Sequence, residues 1–253
     1  SSYQESESVR IVDELSDSER WIQEKIINSH KYDKTILINN KFLIQNNIDL
    51  NYYKRIFPPN IKYYNKSWWS VGWQVWKSLS IRKILSELKE GDILYYHDSN
   101  ISKYPFYKKN FLLGKQKINK LIKRNRNKSI FFFHECYKPL MFDIKYEALA
   151  ERKINFPYSY KTGVWSGSLI IKKDIDSCKF IDNWCDMSKT ILSSQNEYPF
   201  ISKIFYPRFV QHSVDQSTLN LCFEDNNKNI KHKVKYLKTY KRIISFNIFN
   251  QFV

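Results

Sequence analysis

Gly91-Asp92-Ile93-Leu94-Tyr95-Tyr96-His97-Asp98-Ser99-Asn100 is the stretch that decides how this chain of 253 residues is read. Glycine and aspartate make a turn, the four residues from Ile93 make a short buried strand, and a carboxylate and a carboxamide follow one residue apart. Ahead of the turn, Leu79, Ile81, Ile84, Leu85 and Leu88 fall on one helical face from Trp76 onward, and Glu90-Gly91-Asp92 closes that helix. In open α/β sheets, ligands gather at the carboxyl ends of strands. Hard divalent cations take oxygen ligands, and Mg²⁺ often takes only one or two from protein. Asp98 and Asn100 are therefore candidate ligands for a divalent cation such as Mg²⁺ carrying a phosphate-bearing substrate. Asp and Asn at a strand exit also serve as plain turn formers.

Working outward, strands and helices alternate. Val9 to Val12 reads as a first short strand, and Asp17-Ser18-Glu19-Arg20 opens a helix. Thr35 to Ile38 and Ser129 to Phe133 are compact apolar runs expected as buried strands. Ile118, Leu121 and Ile122 mark a basic helix. Gly163 to Ile171 reads as a loop entering a strand. Ile175, Cys178, Ile181, Trp184, Cys185 and Ser188 give a helix buried on one face, and Asp215 to Cys222 a short helix with Leu219 and Cys222 inward. The pattern predicts an α/β fold with a mostly parallel central sheet flanked by helices. With no repeat and no clear linker, residues 1–253 read as a single domain, and the basic stretch 226–253 as a C-terminal appendage.

Composition narrows the function. Five glycines and no G-x-G-x-x-G or G-x-x-x-x-G-K-[ST] argue against a glycine-rich phosphate loop. No run approaches the roughly 18 apolar residues of a membrane span. Cys136, Cys178, Cys185 and Cys222 form no C-x-x-C pair and read as small buried thiols of a reducing compartment. The net charge of +17 collects in Lys115 to Lys128 and Lys228 to Arg242. Such an excess favours nucleic acid, an acidic membrane surface or a phosphorylated substrate; solvated faces of a Lys- and Asn-rich chain are the plainer reading.

Three further constellations carry chemistry. Gly72-Trp73-Gln74-Val75-Trp76-Lys77 offers flat apolar rings and a cation. Trp165-Ser166-Gly167-Ser168 reads as a tight loop where backbone approaches a ligand. His212-Ser213-Val214-Asp215-Gln216-Ser217 places a carboxylate and a carboxamide at a helix start, where they cap structurally or bind sugar hydroxyls. Taken alone, the tryptophans read better as core packing, and His212 is as readily structural. Glu135, after the strand ending at Phe133, is a minor candidate base. Glu147 and Glu151 share a helical spacing typical of solvated pairs. No Ser-His-Asp or Cys-His order stands out.

Taken in order, these blocks resemble bacterial and viral glycosyltransferases of the GT-A fold. The chain's Gly72-Trp73-x-Val75-Trp76-Lys77, Gly91-Asp92-Ile93-Leu94-x-Tyr96-x-Asp98-Ser99-Asn100, Trp165-Ser166-Gly167-Ser168-Leu169-Ile170-Ile171-Lys172 and His212-x-x-Asp215-Gln216-Ser217 carry the likeness. A similar order occurs in glycogenin-like transferases. The resemblance implies a transferase moving a sugar from a nucleotide-diphosphate donor to a glycan, glycolipid or protein acceptor, as in polysaccharide biosynthesis. It implies Asp98 and Asn100 as ligands of Mn²⁺ or Mg²⁺. Tyr96, Trp76, Lys77, Trp165, Ser166, Gly167 and His212 would then bind the donor, and Asp215 and Gln216 would act at the sugar. Asn100 stands where the family has a second acidic residue, and Ser78 where it often has proline.

Two other readings remain: a nucleic-acid-binding module, and a catalytically silent glycosyltransferase-like protein used for interaction. The charge and aromatic content motivate the first, but aromatics enter the basic stretches only near Tyr236 and Tyr240, which disfavours nucleic acid as partner. Asn100 motivates the second. The expected location is cytoplasmic, peripheral on the inner face of a membrane, with an anionic membrane surface as a further partner.

Overall fold

The computed structural model describes residues 32–36, 38, 40–48, 75–97, 113–139, 144, 162–189, 214–230 and 234–237. In chain order these form α1 (Asn40–Gln45), α2 (Val75–Glu87), β1 (Ile93–His97), α3 (Lys115–Arg124), β2 (Ile130–Pro139), β3 (Thr162–Lys172), α4 (Ile175–Lys189), α5 (Val214–Ile230) and β4 (Val234–Leu237). The fold is α/β.

The turn from α2 into β1 forms where the sequence places it. Gly91 has φ +87°, and a side chain there would meet no atom within 4 Å, so the backbone angle alone asks for glycine. The Asp92 carboxylate accepts the Lys89 N–H at 2.9 Å. The Gly91 N–H donates to the Lys173 carbonyl at 2.9 Å, and the Lys173 N–H donates to Asp92 O at 2.8 Å. The turn is thus clipped to the end of β3 before β1 begins.

The four strands lie in the order β1-β3-β2-β4. β3 runs antiparallel to both β1 and β2, and β4 runs parallel to β2. The expectation of a mostly parallel sheet is corrected at this point: two of these three pairings are antiparallel. β1, β2 and β4 do share one direction, but the reversed β3 sits between β1 and β2. A strand buried on both faces reads as an apolar run whichever way it points, so sequence alone does not show the reversal.

Side-chain alternation along β2 fills two cores. Ile130 and Phe132 point to one face, where they meet Val75, Leu79 and Leu85 of α2, Phe180 and Trp184 of α4, and Leu219 and Cys222 of α5. Phe131 and Phe133 point to the other, where they meet Ile118, Leu121 and Ile122 of α3 and Leu113, Ile170 and Leu237. The sheet is therefore sandwiched, with α2, α4 and α5 on one side and α3 on the other. Phe132 packs edge-on against Phe180 and Phe223 at centroid distances of 5.7 and 5.6 Å.

Several expectations need adjustment. Thr35, Ile36 and Ile38 run in irregular backbone, not a strand; Thr35 is exposed and Ile38 only half-buried against the first core. Among the described residues no strand pairs with this run. Gly163 to Ile171 is strand throughout, not loop then strand. α4 starts with a reciprocal cap in which Ser177 Oγ accepts the Asp174 N–H at 2.9 Å and Asp174 Oδ1 accepts the Ser177 N–H at 2.7 Å. Ile175 lies outside the buried face, 67% exposed. α5 is a 17-residue helix, longer than expected. Within 226–253, residues to Ile230 belong to α5 and β4 pairs with β2. The segments 9–12 and 17–20 lie outside the described residues. None of Cys178, Cys185 and Cys222 is in a disulfide. Among the described residues, no helix is long and apolar enough to cross a membrane.

Phe132→Ala empties the centre of the first core and is expected to lower unfolding free energy by about 3–5 kcal/mol. Ile175→Ala, on the exposed face of α4, should change it by less than about 0.5 kcal/mol. Urea denaturation of both variants measures the difference.

Candidate functional site

β1 ends at His97, opposite Ser168 of β3. Beyond that point the β1-facing edge of β3 has no strand beside it among the described residues. A strand edge left inside a protein must find other hydrogen-bond partners. Here α5 supplies them through carboxamides, which carry the same donor and acceptor pair as a peptide group. Asn220 Oδ1 accepts the Val164 N–H at 2.8 Å, and Asn220 Nδ2 donates to the Val164 carbonyl at 3.1 Å. Gln216 Oε1 accepts the Ser166 N–H at 2.8 Å, and Gln216 Nε2 also donates to the Val164 carbonyl. The spacing fits: two residues along a strand advance about 6.6 Å, and four along a helix about 6 Å. α5 thus docks as a substitute strand, with Gln216 and Asn220 one turn apart on the face that meets β3.

Trp165-Ser166-Gly167-Ser168 lies within this edge. Against β2, Phe132 pairs with Leu169 and Phe133 with Trp165, so Ser166, Gly167 and Ser168 have no counterpart on β2. The expected tight loop is a bulge inside a continuous strand. The bulge turns Ser166 towards α5, where its hydroxyl donates to Asp215 Oδ2 at 2.9 Å. The same carboxylate oxygen is ion-paired with Lys77 Nζ from α2, with the two side chains 4% and 8% exposed. Lys77 Nζ also stands 5.7 Å from the centre of the Tyr96 ring, which offers its face to the cation. Asp215 lies in the first turn of α5, where the helix dipole favours a carboxylate.

Lys77, Tyr96, Ser166, Asp215 and Gln216 therefore meet in one buried cluster at the carboxyl end of β1. They come from four segments far apart in sequence. Gly167 is buried in the bulge beside them. Trp165 takes another place: it packs with the core on the α3 side of the sheet, away from Lys77. Trp76 is half-buried on α2. Asp98, Asn100 and His212 lie outside the described residues, and the Glu135 side chain does as well. Among the described residues, no group of three or more His, Cys, Asp or Glu side chains is placed to hold a metal ion. β1 runs without a break to His97. An Asp98 and Asn100 donor set of oxygens fits a hard divalent cation in kind.

Two features escaped sequence reading. Asn220 forms three hydrogen bonds here, the third from Nδ2 to the Gln216 carbonyl at 2.8 Å. Its only sequence signal is the four-residue spacing from Gln216. Thr218, facing α4, accepts the Trp184 indole N–H at 3.1 Å and lies 3.2 Å from Ser188 Oγ, which fixes α5 laterally. On the opposite face of β1, burial pushes the Tyr95 hydroxyl up to about 12, while the Leu113 N–H it accepts at 3.3 Å pulls it down. No protein-family profile, curated protein or solved structure matches the chain.

Gln216→Leu leaves the Ser166 N–H without its acceptor inside the protein. It is expected to lower unfolding free energy by about 1–3 kcal/mol while far-ultraviolet circular dichroism stays unchanged. Urea titration with that signal tests it; a loss below about 0.5 kcal/mol would place the carboxamide among ordinary surface groups.

Proposed function

We propose that the chain is a GT-A-type glycosyltransferase that moves a sugar from a nucleotide-diphosphate donor to a glycan, glycolipid or protein acceptor. One observation carries the reading: Lys77, Tyr96, Ser166 and the Asp215-Gln216 pair, each from a different motif of the resemblance, gather where β1 runs out towards Asp98. The place also suits the chemistry, since ligands of open α/β sheets sit beyond the carboxyl ends of strands.

In this reading Asp98 and Asn100 hold the divalent cation, which when bound neutralises the diphosphate leaving group. Asp215 would supply a fixed negative charge to an oxocarbenium-like sugar, and Gln216, with both ends of its carboxamide bonded to β3, would hold the Ser166 segment beside that carboxylate. Lys77 and the Ser166 hydroxyl keep the Asp215 carboxylate in one orientation, so little reorganisation accompanies the reaction. Tyr96 holds Lys77 from below. Trp165 has no direct role in this arrangement.

The burial of Lys77 and Asp215 also favours a second reading, in which the cluster only fastens α2 and α5 to the sheet and the protein is a silent relative. Ligand binding separates the two. Thermal shift of the full chain with Mn²⁺ and each nucleoside diphosphate should show stabilisation by at least one of them, about 2.7 kcal/mol at a hundred-fold excess over Kd. Asp98→Ala should abolish the Mn²⁺-dependent part, and Asn100→Asp should retain it. No shift with any nucleoside diphosphate would leave the silent reading.

A further inference from the structure

The geometry points to the α3 side of the sheet as a docking surface for anionic lipid headgroups, held by charge without insertion. α3 is strongly two-sided. Ile118 is buried, and Leu121 and Ile122 pack beside it against Phe131, Phe133 and Ile170. Lys117, Lys120, Lys123 and Arg124 are exposed, as is Arg126 in the turn that follows. At about 100° per residue, Lys117, Lys120 and Arg124 form one stripe with Lys123 at its flank, across the helix from Ile118 and Ile122 and bordered by Leu121.

Residues 113–128 contain no Asp or Glu. Among the described residues, the ion pair at this helix is Lys115 with Asp33, at its first residue and off the stripe. A second element adds to the same face. β4 pairs with β2 so that Lys235 stands beside Phe131 and Leu237 beside Phe133. Those phenylalanines point to the α3 side, and Leu237 packs there, so Lys235 projects from that side too and is exposed. The basic surface is thus a broad one spread over a helix and an edge strand.

Its chemistry selects the partner. Residues 113–128 contain no aromatic side chain, so the helix offers nothing on which bases could stack. Ile118 is buried and Leu121 and Ile122 pack partly buried on the sheet, so the helix lacks the open apolar face that an interfacial helix requires. What remains is an array of cations facing outward, which suits a plane of anionic headgroups and a bond that salt weakens. Docked this way, α2, α4 and α5 lie on the side of the sheet away from the lipid. The inference stands on the charge distribution and does not depend on the glycosyltransferase reading.

Flotation of the full chain with phosphatidylcholine vesicles, with and without phosphatidylglycerol, tests it. Binding is expected only when phosphatidylglycerol is present, with release by high salt and no blue shift of tryptophan emission. Each cation near the surface is worth on the order of a five-fold change in binding. The combined K117E, K120E, K123E and R124E variant should therefore bind more than about a hundred-fold more weakly, with an unchanged circular dichroism spectrum. Equal binding by the variant, or none by the parent chain, would overturn the assignment. So would tighter binding of the parent chain to single-stranded or duplex RNA than to these vesicles, abolished by the same four substitutions.

Discussion

A charge removed from water needs a partner, and the buried pair of Lys77 and Asp215 is where this protein meets that constraint. Removing either member would strand the other in a region walled by Tyr96, Ser166 and the start of α5, at a cost of about 3–5 kcal/mol. The pair therefore couples elements that sequence keeps far apart. α2 contributes the cation, α5 the carboxylate, β3 the hydroxyl that fixes it, and β1 the ring beneath the cation. The carboxamides of Gln216 and Asn220 extend the same junction along the open edge of β3. Helix, bulge and strand end are held at one point.

The two faces of the sheet divide the work. One is closed by three helices and carries the polar cluster at its strand ends. The other is closed by α3, whose inner side is apolar and whose outer side is basic. Phe131, Phe132 and Phe133 serve both cores by simple alternation. Part of the basic excess thereby lies on the α3 side of the sheet, across it from the Lys77 and Asp215 pair.

Much of this was legible from local pattern. The α2 periodicity, the Gly91 turn, the β1 and β2 strands and the basic helix α3 follow from spacing and turn chemistry, because those signals lie within a few residues of one another. Strand direction was not, since Leu169-Ile170-Ile171 is apolar whichever way it runs. The Trp165 to Ser168 stretch read as a loop because small polar residues mark turns. Tertiary contact with α5 instead holds them as a bulge inside β3. Lys77, Tyr96, Ser166, Asp215 and Gln216 were each named from their own motif, but no spacing in the sequence states that they touch. Asn220 was missed because a lone asparagine in a helix ordinarily faces water.

The claim on which these relations rest is that Lys77 and Asp215 are energetically coupled across the fold. A double-mutant cycle on unfolding free energy, using Lys77→Met, Asp215→Leu and the pair combined, measures it directly. Each single change is expected to cost about 3–5 kcal/mol, and the double variant to recover a large part of that loss. Single losses that simply add in the double variant, to within about 0.5 kcal/mol, would contradict it.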